Sequence, residues 1–246
     1  MRFIANHPAA VIGRALVVSD VHLGIEYELQ RKGLRLYPHP KKVADGINKL
    51  LRQFKCRQLI VLGDLKHDCR GYTERERKMM HEFLAALAVQ QVTVCKGNHD
   101  SGLDGMPGIT LVPAEGFVFK AGRRTYGMSH GHAWPAKELL AADVLLMGNN
   151  HPTILFQDAL GHKDFEKAWI EGEIKASRKF GTHKQKAIVF PAYSQLSGGI
   201  AFNAEPPCNL LGPLFKNGLF DVEDAEAVLL NGVRLGRIRK LRKRKG

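Results

Sequence analysis

The feature that most constrains this chain is a series of five short apolar runs, each followed closely by a side chain that can bind a metal ion. The runs are ALVVS (15–19), QLIVL (58–62), QVTVC (91–95), RTYGMS (124–129) and VLLM (144–147). Their length and their β-branched residues predict buried strands. Segments 41–54 and 74–90 separate the first three runs and carry apolar residues at helical spacing. This alternation predicts an α/β fold with two facing sheets and helices outside them.

The polar residues that follow the runs are of a kind that suits a metal centre. They are Asp20 and His22, then Asp64, then Asn98, His99 and Asp100, then His130 and His132, and finally Asn150 and His151. Ligands of open α/β sheets bind at the carboxyl ends of the strands, so these groups meet at one rim if the runs lie side by side. Carboxylate, imidazole and amide donors suit Mn²⁺, Fe²⁺ or Zn²⁺. Two such ions about 3.5–4 Å apart can clamp a phosphate and lower the pKa of bound water towards about 7.

Five segments carry a resemblance to a known family. VSDVHLG, VLGDLKHD, CKGNHD, MSHGH and MGNNHP, in this order, resemble the motifs of the calcineurin-like metallophosphoesterase superfamily. The resemblance implies a four-layer α/β/β/α sandwich with two facing mixed sheets and a dinuclear metal site. It also implies a metal-dependent phosphoesterase, foremost a phosphodiesterase or nuclease, in which a metal-bridging hydroxide attacks phosphorus.

The same resemblance assigns roles to individual residues. It places Asp20, His22 and His151 on the first metal, Asp64 between the two ions, and Asn98 and His130 on the second. His99 would not be a ligand: it would stabilise the transition state or protonate the leaving oxygen, steered by a carboxylate such as Asp100. The expected cofactor is a pair of divalent ions, with Mn²⁺ first and Fe²⁺, Zn²⁺ or Mg²⁺ as alternatives.

Two positions depart from the family's usual pattern. Asn149 stands where the family has a second-metal histidine, so we expect Asn149 to be a weaker, harder ligand that favours Mn²⁺ or Mg²⁺ over Zn²⁺. His67 replaces the second acid of the Gly-Asp-x-x-Asp motif, with Asp68 one step later. We assign His67 and His132 to substrate binding; for His132, packing beside the metal ligands is the alternative.

Positive charge is concentrated at the C-terminus. The net charge is +13, and the segment RLGRIRKLRKRKG carries eight basic residues and no acid. The sequence thus predicts a metallophosphoesterase domain over 1–232 and a basic C-terminal tail over 233–246, which either contacts nucleic acid or is a solvated, disordered tail. GDLKHD, IEYELQRKG, HGHAWP and FPAYSQLSGGIAFN look like archaeal phosphoesterases, themselves similar to bacterial DNA-repair phosphoesterases encoded beside a helicase and a ligase. This implies a phosphodiester substrate such as nucleic acid, and a helicase or ligase partner by analogy only.

Other functions are compatible with the same residues. A phosphomonoesterase or nucleotidase would use the same active site, and some members of the superfamily are non-catalytic scaffolds. A third alternative is a nucleic-acid-binding protein in which the metal site is secondary. No run approaches the roughly 18 apolar residues of a membrane helix, and no apolar leader is visible, so we expect no membrane association and a cytoplasmic location.

Overall fold

The first sheet places the ends of three parallel strands side by side. The computed structural model describes residues 1–158, 160–204 and 210–242. Six strands form this sheet in the order β1-β2-β3-β4-β5-β6. They are Arg2–Phe3, Ala9–Ile12, Ala15–Val18, Gln58–Val61, Gln91–Cys95 and Thr110–Val112. β3 to β6 are parallel, whereas β1 and β2 pair antiparallel, so the sheet is mixed. Val18, Val61 and Val94 lie in register, and the loops after them therefore start at one level.

The second sheet has nine strands and is also mixed. Its main path is β13-β10-β11-β12-β9-β8-β7, with β14 beside β11 and β15 beside β14. In chain order, β7 to β15 are Phe117–Ala121, Arg124–Met128, Val144–Met147, Pro152–Gln157, Lys163–Ile174, Gln185–Val189, Ile200–Ala201, Glu226–Leu229 and Arg234–Arg237. β8, β9 and β12 are parallel to one another, so the residues after β8 and β9 leave the sheet at the same edge.

Three apolar clusters give the molecule its layers. One cluster packs the first sheet against helices α2 (Pro40–Gln53) and α3 (Glu74–Ala86), and a second lies between the two sheets. The third covers the outer face of the second sheet, where the short helices α4 (Lys137–Leu140), α5 (Pro213–Lys216) and α6 (Ile238–Leu241) contribute apolar residues. This arrangement confirms the prediction of two facing mixed sheets with helices outside. Among the described residues, no helix is both long enough and apolar enough to cross a membrane.

The start and the end of α3 follow from local contacts of polar side chains. α3 begins after Thr73, whose hydroxyl accepts the backbone N–H of Glu76 while the Glu76 carboxylate accepts the N–H of Thr73. This reciprocal cap satisfies two N–H groups that a helix start leaves unpaired. α3 ends at Ala86 rather than at residue 90, because Asn48 of α2 binds the carbonyl of Ala86 and the N–H of Ala88. The remaining helix, α1 (Ile25–Arg31), starts directly after the first metal motif.

The C-terminal segment differs from the prediction of a tail that starts at residue 233. β15 pairs antiparallel with β14, and α6 follows it with Ile238 fully buried. The apolar residues within the basic segment pack on the second sheet, while Arg234 binds the carboxylates of Glu171 and Glu226. The segment up to residue 241 is therefore part of the fold. The last basic residues of the predicted tail, from 243 onwards, lie outside the described residues.

The long strand β11 connects the core to the surface. Its first half, from Lys163 to Lys167, pairs with β10, and its second half pairs with β14 on one side and β12 on the other. Trp169, in the middle of the strand, is fully buried and stacks on Phe3 of the first sheet with ring centroids 4.2 Å apart. This contact fixes the orientation of β11 relative to the first sheet.

Candidate metal centre

The loops that follow the aligned strand ends bring the polar residues together. The backbone N–H of Asp20 donates to the carbonyl of Gly63, and that of His22 donates to the carbonyl of Asp64. Of the seven non-glycine residues with positive φ in the described chain, five belong to this region: Asp20, His22, Asp64, Asn149 and His151, with φ between 42° and 67°. Left-handed backbone is unfavourable for such residues and clusters at functional sites. The chain therefore turns sharply at each strand end and directs these residues to one rim.

The first group of donors consists of Asp20, His22 and His151. Nε2 of His151 lies 3.1 Å from Oδ1 of Asp20 and 3.1 Å from Nε2 of His22. Nδ1 of His151 lies 2.8 Å from the carbonyl oxygen of Gly198, so this nitrogen carries the proton and donates. The lone pair of His151 Nε2 therefore points towards the other two donors.

Two successive hydrogen bonds orient the ring of His22 so that its Nε2, like that of His151, faces the donor group. Nδ1 of His22 lies 3.3 Å from Nδ1 of His67, and Nε2 of His67 lies 2.7 Å from a carboxylate oxygen of Glu28. The arrangement that satisfies every atom has His67 donating to Glu28 and His22 donating to His67. Nε2 of His22 then keeps its lone pair for the site. A carboxylate that orients a histidine from behind is typical of metal sites.

The second group consists of Asp64, Asn98 and His130. Nε2 of His130 lies 3.3 Å from Oδ2 of Asp64 and 3.2 Å from Oδ1 of Asn98, while its Nδ1 donates to the carbonyl of Leu62 at 2.8 Å. Oδ2 of Asp64 also lies 3.9 Å from Nε2 of His22. Asp64 thus belongs to the second group and is the member of it that also lies near His22 of the first group.

The donor atoms fit divalent cations. Asp20, His22 and His151 bring one ligand atom each to within 4.8 Å of one another, and so do Asp20, Asp64 and His130. With the tautomers above, acceptor atoms face each other at short distance, which is favourable only when a cation or a proton lies between them. The mixture of carboxylate, imidazole and amide donors suits Mn²⁺, Fe²⁺ or Zn²⁺.

The pKa shifts in the site also indicate that the two buried carboxylates require a positive charge nearby. Burial lowers the pKa of His22 to about 4, so His22 is neutral at neutral pH. Burial also acts to lower the pKa of His130, but the carboxylates of Asp64 and Asp20 raise it to about 10. Burial acts to raise the pKa of both aspartates, and the facing histidines nevertheless hold each pKa below its ordinary value. In the absence of an ion, a proton on His130 thus supplies the positive charge that the two carboxylates require.

His99 lies at the edge of the site, and its ring is oriented by a backbone carbonyl. Its Nε2 is 3.9 Å from Oδ2 of Asp64, its Nδ1 donates to the carbonyl of His67, and its ring stacks on the His67 ring. Its backbone N–H donates to Oδ1 of Asp64 at 2.9 Å. His99 is therefore fixed beside the donor groups and keeps a ring nitrogen directed at them.

The carboxylate of Asp100 is bound by backbone N–H groups, and the expectation that it steers His99 stays a prediction. Its two oxygens accept backbone N–H groups from Asp64 and Gly97 at 2.8 Å, from Leu65 at 2.9 Å and from Lys66 at 3.3 Å. Burial and the charge of Asp64 raise the pKa of Asp100 to about 6, against these four donors, which favour the ionised form. Asp100 therefore ties the loop after β4 to the loop after β5, and its catalytic role stays a prediction.

Asn149 and His132 lie beside the donor groups, and their roles remain predictions. The backbone N–H of Asn149 lies 3.2 Å from Oδ2 of Asp20, and its side-chain Nδ2 is buried with no hydrogen-bond partner in the described part of the chain. Nδ1 of His132 is likewise buried and unpaired among the residues that the structure covers, and its ring lies 5.2 Å from that of His130. Burial lowers the pKa of His132, with a further lowering from the charge of His130.

Glycines allow the ligand residues to approach one another closely. A Cβ at Gly97 would collide with Oδ1 of Asp64, and a Cβ at Gly148 would collide with the hydroxyl of Ser19, which donates to Asp20. The sequence signalled these positions only as a Gly before Asn98 and a Gly before Asn149. In both places the absence of a side chain makes room for a carboxylate or its partner.

Sequence reasoning missed three residues that support the site. Glu28 lies after the first motif and was assigned no role in the site from the sequence, yet its carboxylate binds His67. Ser19 lies inside an apolar run, yet its hydroxyl binds Asp20. Lys66 is fully buried beside Glu76, with Nζ 3.6 Å from a carboxylate oxygen, and it donates to the carbonyl of Gly71 at 2.8 Å. Of these three residues, only Lys66 could have been identified from the sequence, because a lysine is unusual among the buried residues of the second motif.

Comparison with known proteins found one matching family and several similar solved structures. The profile of the family described as "Calcineurin-like phosphoesterase" matches residues 13–203. The crystal structure of nuclease MPE from Pseudomonas putida has 18% sequence identity and a TM-score of 0.56, covering 90% of this chain and 88% of that chain. The phosphoesterase Yfce from E. coli has 20% identity and a TM-score of 0.38, covering 59% of this chain and 74% of its own. Among curated proteins, no relative matches the chain.

The family match covers every residue of the two donor groups and most of the chain. The fold shared with nuclease MPE agrees with the two mixed sheets described above. This chain belongs to the calcineurin-like phosphoesterase family.

Proposed function

We propose that this chain is a phosphodiesterase that hydrolyses P–O bonds, foremost those of nucleic acid, with two divalent metal ions. The observation that carries the proposal is the pair of adjacent donor groups, in which Oδ2 of Asp64 lies 3.3 Å from Nε2 of His130 in its own group and 3.9 Å from Nε2 of His22 in the other. Nuclease MPE, which shares the fold, is a nuclease by name. The further proposal that this chain acts in DNA repair beside a helicase or ligase follows from the narrower sequence resemblance.

The proposed arrangement divides the ligands between two ions. Asp20, His22 and His151 would hold the first ion, Asn98 and His130 the second, and Asp64 both. Bound divalent ions supply Lewis acidity and activate water at neutral pH. Two carboxylates leave about two of the four positive charges of two divalent ions uncompensated, which favours an anionic phosphate over a neutral ester. We expect Mn²⁺ to be the most effective ion because amide and carboxylate oxygens make up part of the site.

His99 is suited to hold and transfer a proton. Its Nδ1 donates to the carbonyl of His67, so a second proton, when present, resides on Nε2, which faces the donor groups. A proton at Nε2 can pass to the leaving oxygen of the ester. The backbone of His99 is held by Asp64, so the ring keeps its position relative to the ligands.

The free energy that the fold loses by forming this site argues against a non-catalytic scaffold. Five residues of the region have left-handed backbone, and each costs of the order of 1 kcal/mol or more. Asp20 and Asp64 are buried carboxylates, which are costly without an opposite charge. A chain selected only as a scaffold would gain from replacing these residues. Their presence therefore favours a site that binds ions and acts on a substrate.

Hydrolysis of three substrates tests the proposal. With Mn²⁺ we expect turnover of a synthetic phosphodiester and of an oligonucleotide, at rates well above that of the matching monoester. Asp64→Asn should reduce turnover by at least about a hundredfold, since the residue between both ions loses its charge. Asp104→Asn is the matched control, because Asp104 is an exposed partner of Lys96 and belongs to neither donor group. A preference for the monoester would identify a phosphomonoesterase, and absence of all turnover would support the scaffold.

A further inference from the structure

The hairpin formed by β10 and β11 extends outwards from the metal centre. β10 begins at Pro152, directly after His151, and pairs antiparallel with β11 from Thr153 opposite Lys167 to Gln157 opposite Lys163. The last residues before the turn are exposed, in contrast to the buried residues near the site. The hairpin therefore starts at a ligand and continues beyond the edge of the core.

Alternation along β11 shows which face of the hairpin is on the side of the metal centre. Ala168 and Ile170 belong to the cluster on the outer face of the second sheet, whereas Trp169 belongs to the cluster between the sheets. Side chains two residues apart share a face of a strand. Lys167, Phe165 and Lys163 therefore continue the face of Trp169; we call these three residues the inner hairpin face.

Contacts of Lys167 link this face to the metal ligands. Its Nζ donates to the carbonyl of Ala192 at 2.7 Å and to that of Ser194. The backbone N–H of Ser194 donates in turn to the carbonyl of Asp20 at 3.1 Å. At about 3.3 Å per residue, Phe165 lies about 7 Å and Lys163 about 13 Å further along the strand. The inner hairpin face thus begins beside the segment that contacts Asp20 and continues along β11 towards its exposed end.

The chemistry of this face is unusual for a solvated surface. Phe165 is 53% exposed on the strand whose Lys167 binds the segment that contacts Asp20. The lysines on either side of it are basic, and the acids of this stretch, Asp164 and Glu166, alternate to the opposite face. Lys163 and the exposed ring of Phe165 share this face and are complementary to a chain in which phosphates alternate with bases, whereas the ammonium of Lys167 is already bound to two carbonyls.

We propose that the inner hairpin face binds a single strand of nucleic acid that leads into the metal centre, with Phe165 stacked on a base and Lys163 beside a phosphate. The proposal rests on the proposed function and specifies its substrate class. A single strand is favoured over a duplex because a side chain can stack only on a base that is free of its neighbour. Charge complementarity and continuity with the site support this occupant over an apolar protein partner.

Binding of a cleavage-resistant strand tests the proposal separately from catalysis. The probe is a fluorescent oligothymidylate with phosphorothioate linkages, measured by anisotropy with the Mn²⁺-loaded protein. Phe165→Ala should raise Kd about tenfold, which corresponds to about 1.4 kcal/mol and lies within the range for one stacked base. Phe165→Trp should restore binding. Lys163→Ala should lower the slope of log Kd against log salt by about one ion.

The same hairpin offers a matched control. Phe156 lies opposite Asp164 on the other face and is 40% exposed, so Phe156→Ala removes a comparable ring from the wrong side. Phe156→Ala should leave Kd unchanged, and the thermal unfolding midpoints of both variants should agree. Equal losses in the two variants, no loss in Phe165→Ala, equally tight duplex binding, or no binding by the unaltered protein would each overturn the proposal. Strand binding without diester hydrolysis would instead overturn only the proposed function.

Discussion

The role of Asp100 can be tested by replacing one of its oxygens. Asp100→Asn substitutes an amide NH₂ group for one carboxylate oxygen, and each oxygen accepts two backbone N–H groups: Oδ2 those of Asp64 and Gly97, Oδ1 those of Leu65 and Lys66. Two buried N–H groups then face a donor instead of an acceptor. A hydrogen bond to a charged group contributes about 1.5–3 kcal/mol, so two of them give a loss of at least about 3 kcal/mol.

The measurement is the free energy of unfolding of the metal-free protein. Urea titration in the presence of a chelator, at about pH 8, keeps Asp100 ionised because its pKa is about 6. We expect Asp100→Asn to lower this free energy by at least about 3 kcal/mol. In a parallel thermal scan the midpoint should fall by roughly 6–12 °C, since 1 kcal/mol shifts a domain of this size by about 2–4 °C. Asp104→Asn, which alters an exposed ion pair with Lys96, should cost less than about 1 kcal/mol.

The opposite pattern would refute this reasoning. If Asp100→Asn left the unfolding midpoint of the metal-free protein unchanged and lowered only kcat, Asp100 would act through His99, as the sequence motif suggested. If both the midpoint and the affinity for Mn²⁺ fell together, the carboxylate would act through the backbone that carries Asp64 and Asn98.

Three further substitutions probe other parts of the site. Lys66→Met should destabilise the protein by about 3 kcal/mol, measured by urea unfolding, because Glu76 would keep a buried charge without its partner; an unchanged midpoint would contradict this. Gly148→Ala should weaken Mn²⁺ binding in isothermal titration by at least about tenfold, since the new Cβ collides with the Ser19 hydroxyl; wild-type affinity would show that the loop yields freely. Asn149→His should tighten Zn²⁺ binding at the weaker of two sites, because imidazole is a softer ligand than an amide; an unchanged zinc isotherm would exclude Asn149 as a ligand.

The fold and the meeting of the donor groups could be predicted because both depend on strand periodicity and strand ends. β3, β4 and β5 fall within the predicted runs, and parallel register places the residues after them at one edge. Each donor residue follows its strand by two to four positions, so its approximate place is determined by the backbone. The resemblance to the family's motifs supplied the expected division of ligands between two ions.

The supporting contacts could not be predicted, because they join residues far apart in sequence through side-chain direction. Glu28 meets His67 only because α1 turns back across the loop after β4, and nothing in the helix pattern specifies that direction. Asp100 adjoins His99 in sequence, yet its carboxylate points to the backbone of Asp64 instead. The contribution of residues 234–241 to the fold was missed because their charge obscured the apolar Leu235 and Ile238.

The continuous course of β11 has a consequence for the energetics of substrate capture. The strand that carries Phe165 into solvent is the strand whose Trp169 is clamped between the sheets by Phe3. If the inner hairpin face binds a strand as proposed, β11 is already ordered when the chain folds and does not have to be immobilised when the ligand arrives. The entropy that flexible binding segments lose on association is therefore already lost during folding, and more of the contact energy is available as affinity.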